Sequence, residues 1–208
     1  MSMQQLTPSQ VLQERGRALA RANSWKRLGA SLLGTLTCTL ILFGLLFGVA
    51  VVHGGSMHPA FRENDLVLFS RLGRYSAGGR ARYGAGDVII LKREAEGLPA
   101  ESRGTQGVPP ETRGLRKYVK RVIGVPGDTV DITPAGDVLV NGAPLEDLFA
   151  QGATLCKEGA QFPLQLAAGQ YFVLGDNREN SSDSRSFGAV ASGSIQGRVL
   201  AVLRTKKP

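Results

Sequence analysis

The sequence predicts a mainly β protein, an antiparallel β-sheet domain preceded by one amino-terminal transmembrane helix. Three observations carry that expectation. Residues 28–52 contain no Asp, Glu, Lys, Arg or His. Beyond His53, an Asp at a turn repeatedly opens a short apolar run, which is the pattern of turn then strand. No sustained helical periodicity follows the apolar segment, and no repeat of 20–50 residues is present. The composition is that of a folded chain: 208 residues, 42% hydrophobic, with a net charge of +8.

The apolar segment comes first. Its 25 residues would make a helix about 37 Å long, enough to cross a hydrocarbon core of about 30 Å with some tilt. A cleavable secretory signal has an apolar region of only about 7–15 residues. Gly29, Gly34, Gly44 and Gly48 would weaken a soluble helix and are better tolerated in lipid. Residues 1–27 hold Arg15, Arg17, Arg21, Lys26 and Arg27 against Glu14, a net of +4. The positive-inside tendency therefore puts residues 1–27 in the cytoplasm, 28–52 in the bilayer and 53–208 on the far side. Half of the excess charge is thus a topology signal. The rest is diluted over a domain with few aromatics, so nucleic acid is not an expected partner. Cys38 lies in the span and Cys156 in the outer domain, so they cannot pair and Cys156 reads as structural. The sequence assigns no oligomeric state.

The outer domain divides by its turns. Asn64-Asp65 leads into residues 66–69, Gly86-Asp87 into 88–91, Gly127-Asp128 into 129–132 and Gly136-Asp137 into 138–140. Asn141-Gly142 offers a hairpin turn toward 143–145. Further strands are expected at 117–123, 170–174 and 195–203. Residues 93–116 interrupt the pattern with eight charged residues, three Pro and four Gly. They read as a mobile, solvent-exposed insertion without chemistry of its own.

Three segments hold candidate chemistry. Gly54-Gly55-Ser56-Met57-His58-Pro59 could be an ordinary turn. It could also present the Ser56 hydroxyl in a fixed geometry, and such a hydroxyl needs a base to become a nucleophile. His53 and His58 are too near in sequence to reach it easily, and both suit a polar position at a membrane interface. Lys120 is the stronger base. On a strand over 117–123, alternation puts Tyr118, Lys120 and Val122 on one face and Val119, Arg121 and Ile123 on the other. A lysine desolvated there would have its pKa lowered from about 10.4 toward the neutral range that a general base needs. Equally, it could snorkel to water. The third segment, residues 175–185 (GDNRENSSDSR), could be a surface turn. Alternatively, ion pairs among Asp176, Arg178, Asp183 and Arg185 could make it a rigid support for a catalytic lysine.

Taken together, these segments resemble the bacterial type I signal peptidases, membrane-bound serine proteases that remove signal sequences from exported proteins. The resemblance rests on Gly55-Ser56-Met57 with Pro59, on Lys120-Arg121 through Gly124-Val125-Pro126-Gly127-Asp128, and on Gly175-Asp176-Asn177-Arg178 with Ser181, Asp183, Ser184 and Arg185. It implies Ser56 as nucleophile, with its amide in the oxyanion hole, and Lys120 as general base. Ser181 would orient the lysine amine. Asp183 and Arg185 would form a salt-bridged pair supporting the site, with Arg121 beside them, and Met57 would lie at the substrate-binding surface. The partners implied are preproteins with signal peptides and the lipid bilayer. The implied location is single-pass in the bacterial cytoplasmic membrane, and no metal or other cofactor is expected. A related Ser-Lys protease maturing dedicated substrates such as pilins is the alternative. The chain departs from the family pattern at Gly54, where some relatives carry a Ser whose hydroxyl helps form the oxyanion hole. It departs again at Glu179 and Ser182, which replace the more usual Asp and Ala.

Overall fold

The structure is a computed structural model that describes residues 8–75, 83–94, 115–156 and 161–204. The chain falls into two units, Met1–Leu45 and Leu46–Pro208. Among the described residues, the first is built by one helix, α1 (Pro8–Leu46). Its part Trp25–Leu46, 22 residues, is long and apolar enough to cross a membrane. Leu32, Leu33, Leu36, Leu40 and Ile41 are all exposed on it, so no protein core accounts for their hydrophobicity. The hydroxyls of Thr35, Thr37 and Thr39 donate to the carbonyls of Ser31, Leu33 and Thr35 at 2.8–2.9 Å. Bonding back to the preceding turn satisfies these hydroxyls internally, as an apolar solvent requires.

The helix ends at Leu46 and not at Val52. The last apolar residues form strand β1 (Phe47–Val51), paired antiparallel with β2 (Leu66–Ser70) from Phe47↔Ser70 to Val51↔Leu66. A charge-free run does not by itself distinguish a span from a strand. What decides here is the pairing with β2, for which Phe47, Val49 and Val51 supply a pleated surface. Gly48 lies flat on the Phe69 ring, where any Cβ would collide.

The remaining strands are β3 (Val88–Glu94), β4 (Leu115–Gly124), β5 (Thr129–Ile132), β6 (Val138–Val140), β7 (Ala143–Pro144), β8 (Leu164–Gln165), β9 (Gln170–Leu174), β10 (Val190–Ala191) and β11 (Ile195–Leu203). A short helix, α2 (Ser184–Phe187), follows β9. They build a seven-stranded sheet in the order β1-β2-β11-β3-β4-β9-β10 and a four-stranded sheet in the order β7-β6-β5-β8. Every pairing between these strands is antiparallel. Of the segment 93–116, Arg93 and Glu94 pair with Arg116 and Leu115 in the β3/β4 ladder. The expected insertion is shorter by those residues at each end, and 95–114 lie outside the described residues.

Three of the Asp-led turns share one design. The N–H groups of Asp65, Asp87 and Asp128 donate to the carbonyls of Arg62, Gly84 and Val125. Each carboxylate in turn accepts the N–H of the same residue, at 2.9, 3.0 and 2.8 Å. The residue before each Asp has positive φ (Asn64 67°, Gly86 86°, Gly127 96°), which explains why Asn or Gly stands there.

The core lies in three clusters, and β4 contributes to all of them. Val122 packs with Ile89, Leu91, Tyr171 and Ile195; Ile123 packs with Val130, Ile132, Phe172 and Leu174; Val119 packs against Val52, Met57, Phe61, Val67, Phe69 and Ile90. This strand is therefore held on both faces, and its side chains have little freedom to move. Gly48→Val would drive a branched side chain into the Phe69 ring. The expected cost is about 1–3 kcal/mol, read as a lower unfolding midpoint in detergent, with the helical signal of α1 unchanged.

Candidate active site

The centre of the site joins two distant segments. β4 delivers Lys120, which is 1% exposed. Its Nζ donates to Ser56 Oγ at 2.7 Å. Ser56 lies in the loop that leaves β1, and that loop is pinned along its length. Val52 donates to Asp65 O at 2.9 Å and Asn64 donates to Val52 O at 3.0 Å. Gly54, at φ 85°, donates its N–H to Glu63 Oε2 at 2.5 Å. The Asn177 N–H donates to Ser56 O at 3.1 Å, and Asn177 Nδ2 to Gly55 O at 3.2 Å. The backbone of Gly55 and Ser56 is thus clamped by a loop more than a hundred residues away.

That loop, 175–185, is rigid for identifiable reasons. Asp183 caps α2 by accepting the Arg185 N–H. Its two oxygens accept Arg185 Nε and Nη2, each at 2.9 Å, and Oδ2 also accepts the Gly175 N–H at 3.1 Å. Both residues of this pair are buried. Burial by itself would raise the Asp183 pKa. The Arg185 hydrogen bond and charge outweigh it, with the Ser181 hydroxyl and the Gly175 N–H, and hold the carboxyl below its usual 3.8. Arg185 Nη2 also donates to Arg178 O at 2.6 Å. Gly175 is tightly enclosed: a Cβ there would strike Ser181 Oγ and meet the Ser56 carbonyl oxygen at 2.5 Å. Ser181 and the Ser56 loop therefore both crowd the same side of this glycine.

The other ion pairs anticipated within the loop reach outward instead. Asp176 receives Arg121 of β4 in a two-pronged contact, Nε to Oδ1 at 2.8 Å and Nη2 to Oδ2 at 2.7 Å. Arg121 Nη1 donates to Gly86 O at 3.0 Å, and the guanidinium lies over the Phe149 ring, 4.0 Å from its centre. Arg178 donates to Gly175 O and Thr154 Oγ1 and bonds the Asp147 carboxylate. Pro59, Ala60, Leu148, Phe149, Ala150 and Gln151 line an open groove of about 230 Å³ next to the Ser56 loop.

Residues 25–204 match the family model described as signal peptidase, peptidase S26. The chain belongs to that family. It is a serine endopeptidase of the hydrolase class by this membership, and the family is membrane-associated in bacteria. A relative named signal peptidase I from Leptolyngbya laminosa is 34% identical over 145 residues, covering 70% of this chain and 63% of its own. One named signal peptidase I T from Bacillus subtilis strain 168 is 27% identical over 188 residues, covering 86% of each. A crystallised signal peptidase I from Enterococcus faecalis V583 is 28% identical, covering 57% of this chain and 97% of its own, with a TM-score of 0.39.

Met57, expected at the substrate-binding surface, lies in the interior of the β unit. Met57 is 1% exposed and packs among Val52, Phe61, Val67, Phe69 and Ile90. An apolar side chain directly after Ser56 is drawn into the core beneath that loop. His53 turns to Glu63, Nδ1 to Oε1 at 3.4 Å, and His58 is exposed. Cys156 is exposed too, its Sγ 3.7 Å from Ile132 O. Sequence reading missed Glu63, Asn177 and Phe149 as parts of the site. Glu63 and Phe149 lie outside the recognisable segments, and the Asn177 clamp depends on a backbone carbonyl that carries no side-chain signature.

The Asp183 carboxyl gives a signed pH dependence. A group whose folded pKa is lowered contributes stability above its unfolded value, and that contribution is lost as pH falls through the folded value. Stability should therefore fall as the medium is acidified below about pH 4. Asp183→Asn, which strands a buried guanidinium, should cost about 3–5 kcal/mol at neutral pH and flatten that acid decline. Urea unfolding at a series of pH values checks both effects.

Proposed function

We propose that this protein is a membrane-anchored serine endopeptidase that cleaves amino-terminal signal peptides from exported preproteins, with Ser56 as nucleophile and Lys120 as general base. The observation that carries the reading is the 2.7 Å contact from a buried lysine amine to a serine hydroxyl. A buried amine is disfavoured as a cation, and a neutral amine is what proton abstraction needs. Lys120 takes the Oγ proton as Oγ bonds to the scissile carbonyl carbon, and the carbonyl electrons move onto oxygen beside the Ser56 N–H. Collapse breaks the C–N bond, and the Lys120 ammonium returns its proton to the leaving amine, giving the acyl-enzyme. Water then attacks that ester and loses a proton to Lys120. The second collapse expels Oγ, which recovers the proton.

The supporting roles follow from the contacts. Ser181, bonded to Asp183 and pressed on Gly175, orients the lysine amine. Asp183 with Arg185 holds Ser181 in place, and Arg121 ties the loop to β4 through Asp176. The anchor is Trp25–Leu46. The basic tail puts the amino terminus in the cytoplasm and the β unit on the outer face of the inner membrane. Anchoring raises the local concentration of a substrate whose own apolar segment is already in the bilayer. No observation favours pilins or other dedicated substrates.

Lys120→Ala should leave the folded protein intact and reduce preprotein cleavage in liposomes by at least about 10²–10⁴-fold. Equal cleavage by the variant and the unmodified enzyme would remove the lysine from the mechanism. Topology has an independent check in the exposed Cys156. A membrane-impermeant maleimide should label it in intact spheroplasts and leave Cys38 unmodified. Labelling of Cys156 only after permeabilisation would invert the orientation.

A further inference from the structure

We propose that the Asn180 side-chain amide is the second hydrogen-bond donor of the oxyanion hole. This rests on the Ser56/Lys120 reading above. Oxyanion holes for acyl transfer pair two donors on the developing alkoxide, since one N–H leaves much of that charge unmatched. Among the described residues, the Ser56 N–H donates to no protein acceptor, so it is free to serve as the first. Gly54 has no side chain to contribute, and its N–H is already given to Glu63 at 2.5 Å. Asn177 spends its own side-chain amide on Gly55 O.

Asn180 remains, and it is well placed. Its Nδ2 stands 3.7 Å from the point where a side chain on Gly55 would begin, directly before the nucleophile. Its backbone N–H donates to Asn177 Oδ1 at 3.2 Å. Asn177 in turn is bonded to the backbone of both Gly55 and Ser56. The amide is thus carried by the same clamp that fixes the nucleophile. It is exposed, and among the described residues its Nδ2 donates to no protein acceptor. A donor whose backbone is tied to that clamp and whose amide is unspent can turn to the developing charge. The lack of a side chain at Gly55 leaves the way open between that amide and the Ser56 N–H.

The test compares the full-length enzyme in liposomes with Asn180→Ala, Asn180→Asp and, as a control, Ser56→Ala. Cleavage of a preprotein is read together with inhibition by a substrate-length peptide aldehyde, which forms a tetrahedral adduct on Ser56, and by the matching peptide alcohol, which cannot. The expected result is a fall in kcat of about 10²–10³-fold with KM nearly unchanged. Asp should be no better than Ala, since a carboxylate of the same shape cannot donate. Aldehyde affinity should weaken while alcohol affinity and the unfolding midpoint stay constant. A kcat within threefold of the unmodified enzyme overturns the assignment. So does a loss confined to KM, or equal weakening of aldehyde and alcohol, either of which would make Asn180 a contact to the substrate chain. Undiminished cleavage by Ser56→Ala would instead overturn the dyad itself, and this inference with it.

Discussion

The contact between Lys120 Nζ and Ser56 Oγ joins residues 64 positions apart, and most of the ordered structure around it fixes one of its two ends. The lysine end is set by β4, which packs into every core cluster and so holds its side chains against rotation. The serine end is a loop, which would wander without help. Backbone hydrogen bonds from Asn177 and a carboxylate from Glu63 hold it instead. A short hydrogen bond between a desolvated amine and a hydroxyl tolerates little slack, because geometry errors of an ångström cost such sites much of their rate.

Holding the loop requires charges to be buried, and the type of cation matters. Arg121 and Arg185 each meet a carboxylate with two parallel N–H groups while further donors reach backbone carbonyls. A lysine has one charged tip and could not bridge a carboxylate and a carbonyl on different elements in this fixed fork geometry. Buried pairs of this kind are weak contributors to net stability, since desolvation offsets most of the attraction. Their value here is positional: Arg121 ties the 175–185 loop to β4 through Asp176, and the Asp183–Arg185 pair braces the loop from within.

The sequence made the strands legible where chemistry is local. Asp65, Asp87 and Asp128 announce their turns because the capping carboxylate and the positive-φ residue are adjacent in the chain. The alternation of Tyr118, Lys120 and Val122 could be read from period two alone. The illegible parts depend on partners far away. Phe47–Val51 is apolar whether it lies in lipid or on a sheet, and only its pairing with β2 distinguishes the two. Met57 is apolar and next to Ser56, which suits either an exposed surface or the core under the loop. Asp176 has Arg178 near in sequence and Arg121 near in space, and the second wins. Strands of two residues, such as β8 and β10, are too short to leave a pattern.

The early end of α1 bears on where this protein can be divided. The ladder extends to Leu46, whose carbonyl accepts the Arg71 N–H at 2.7 Å, and β1 forms one border of the larger sheet. A soluble version cut at His53, where the charge-free run stops, would discard that border and uncover Phe69 and its neighbours to water. Cutting at Leu46 would keep the sheet whole. The hydrophobic stretch is therefore shared between two modules, and any exchange of anchors between related enzymes must carry Phe47–Val51 with the β unit it completes.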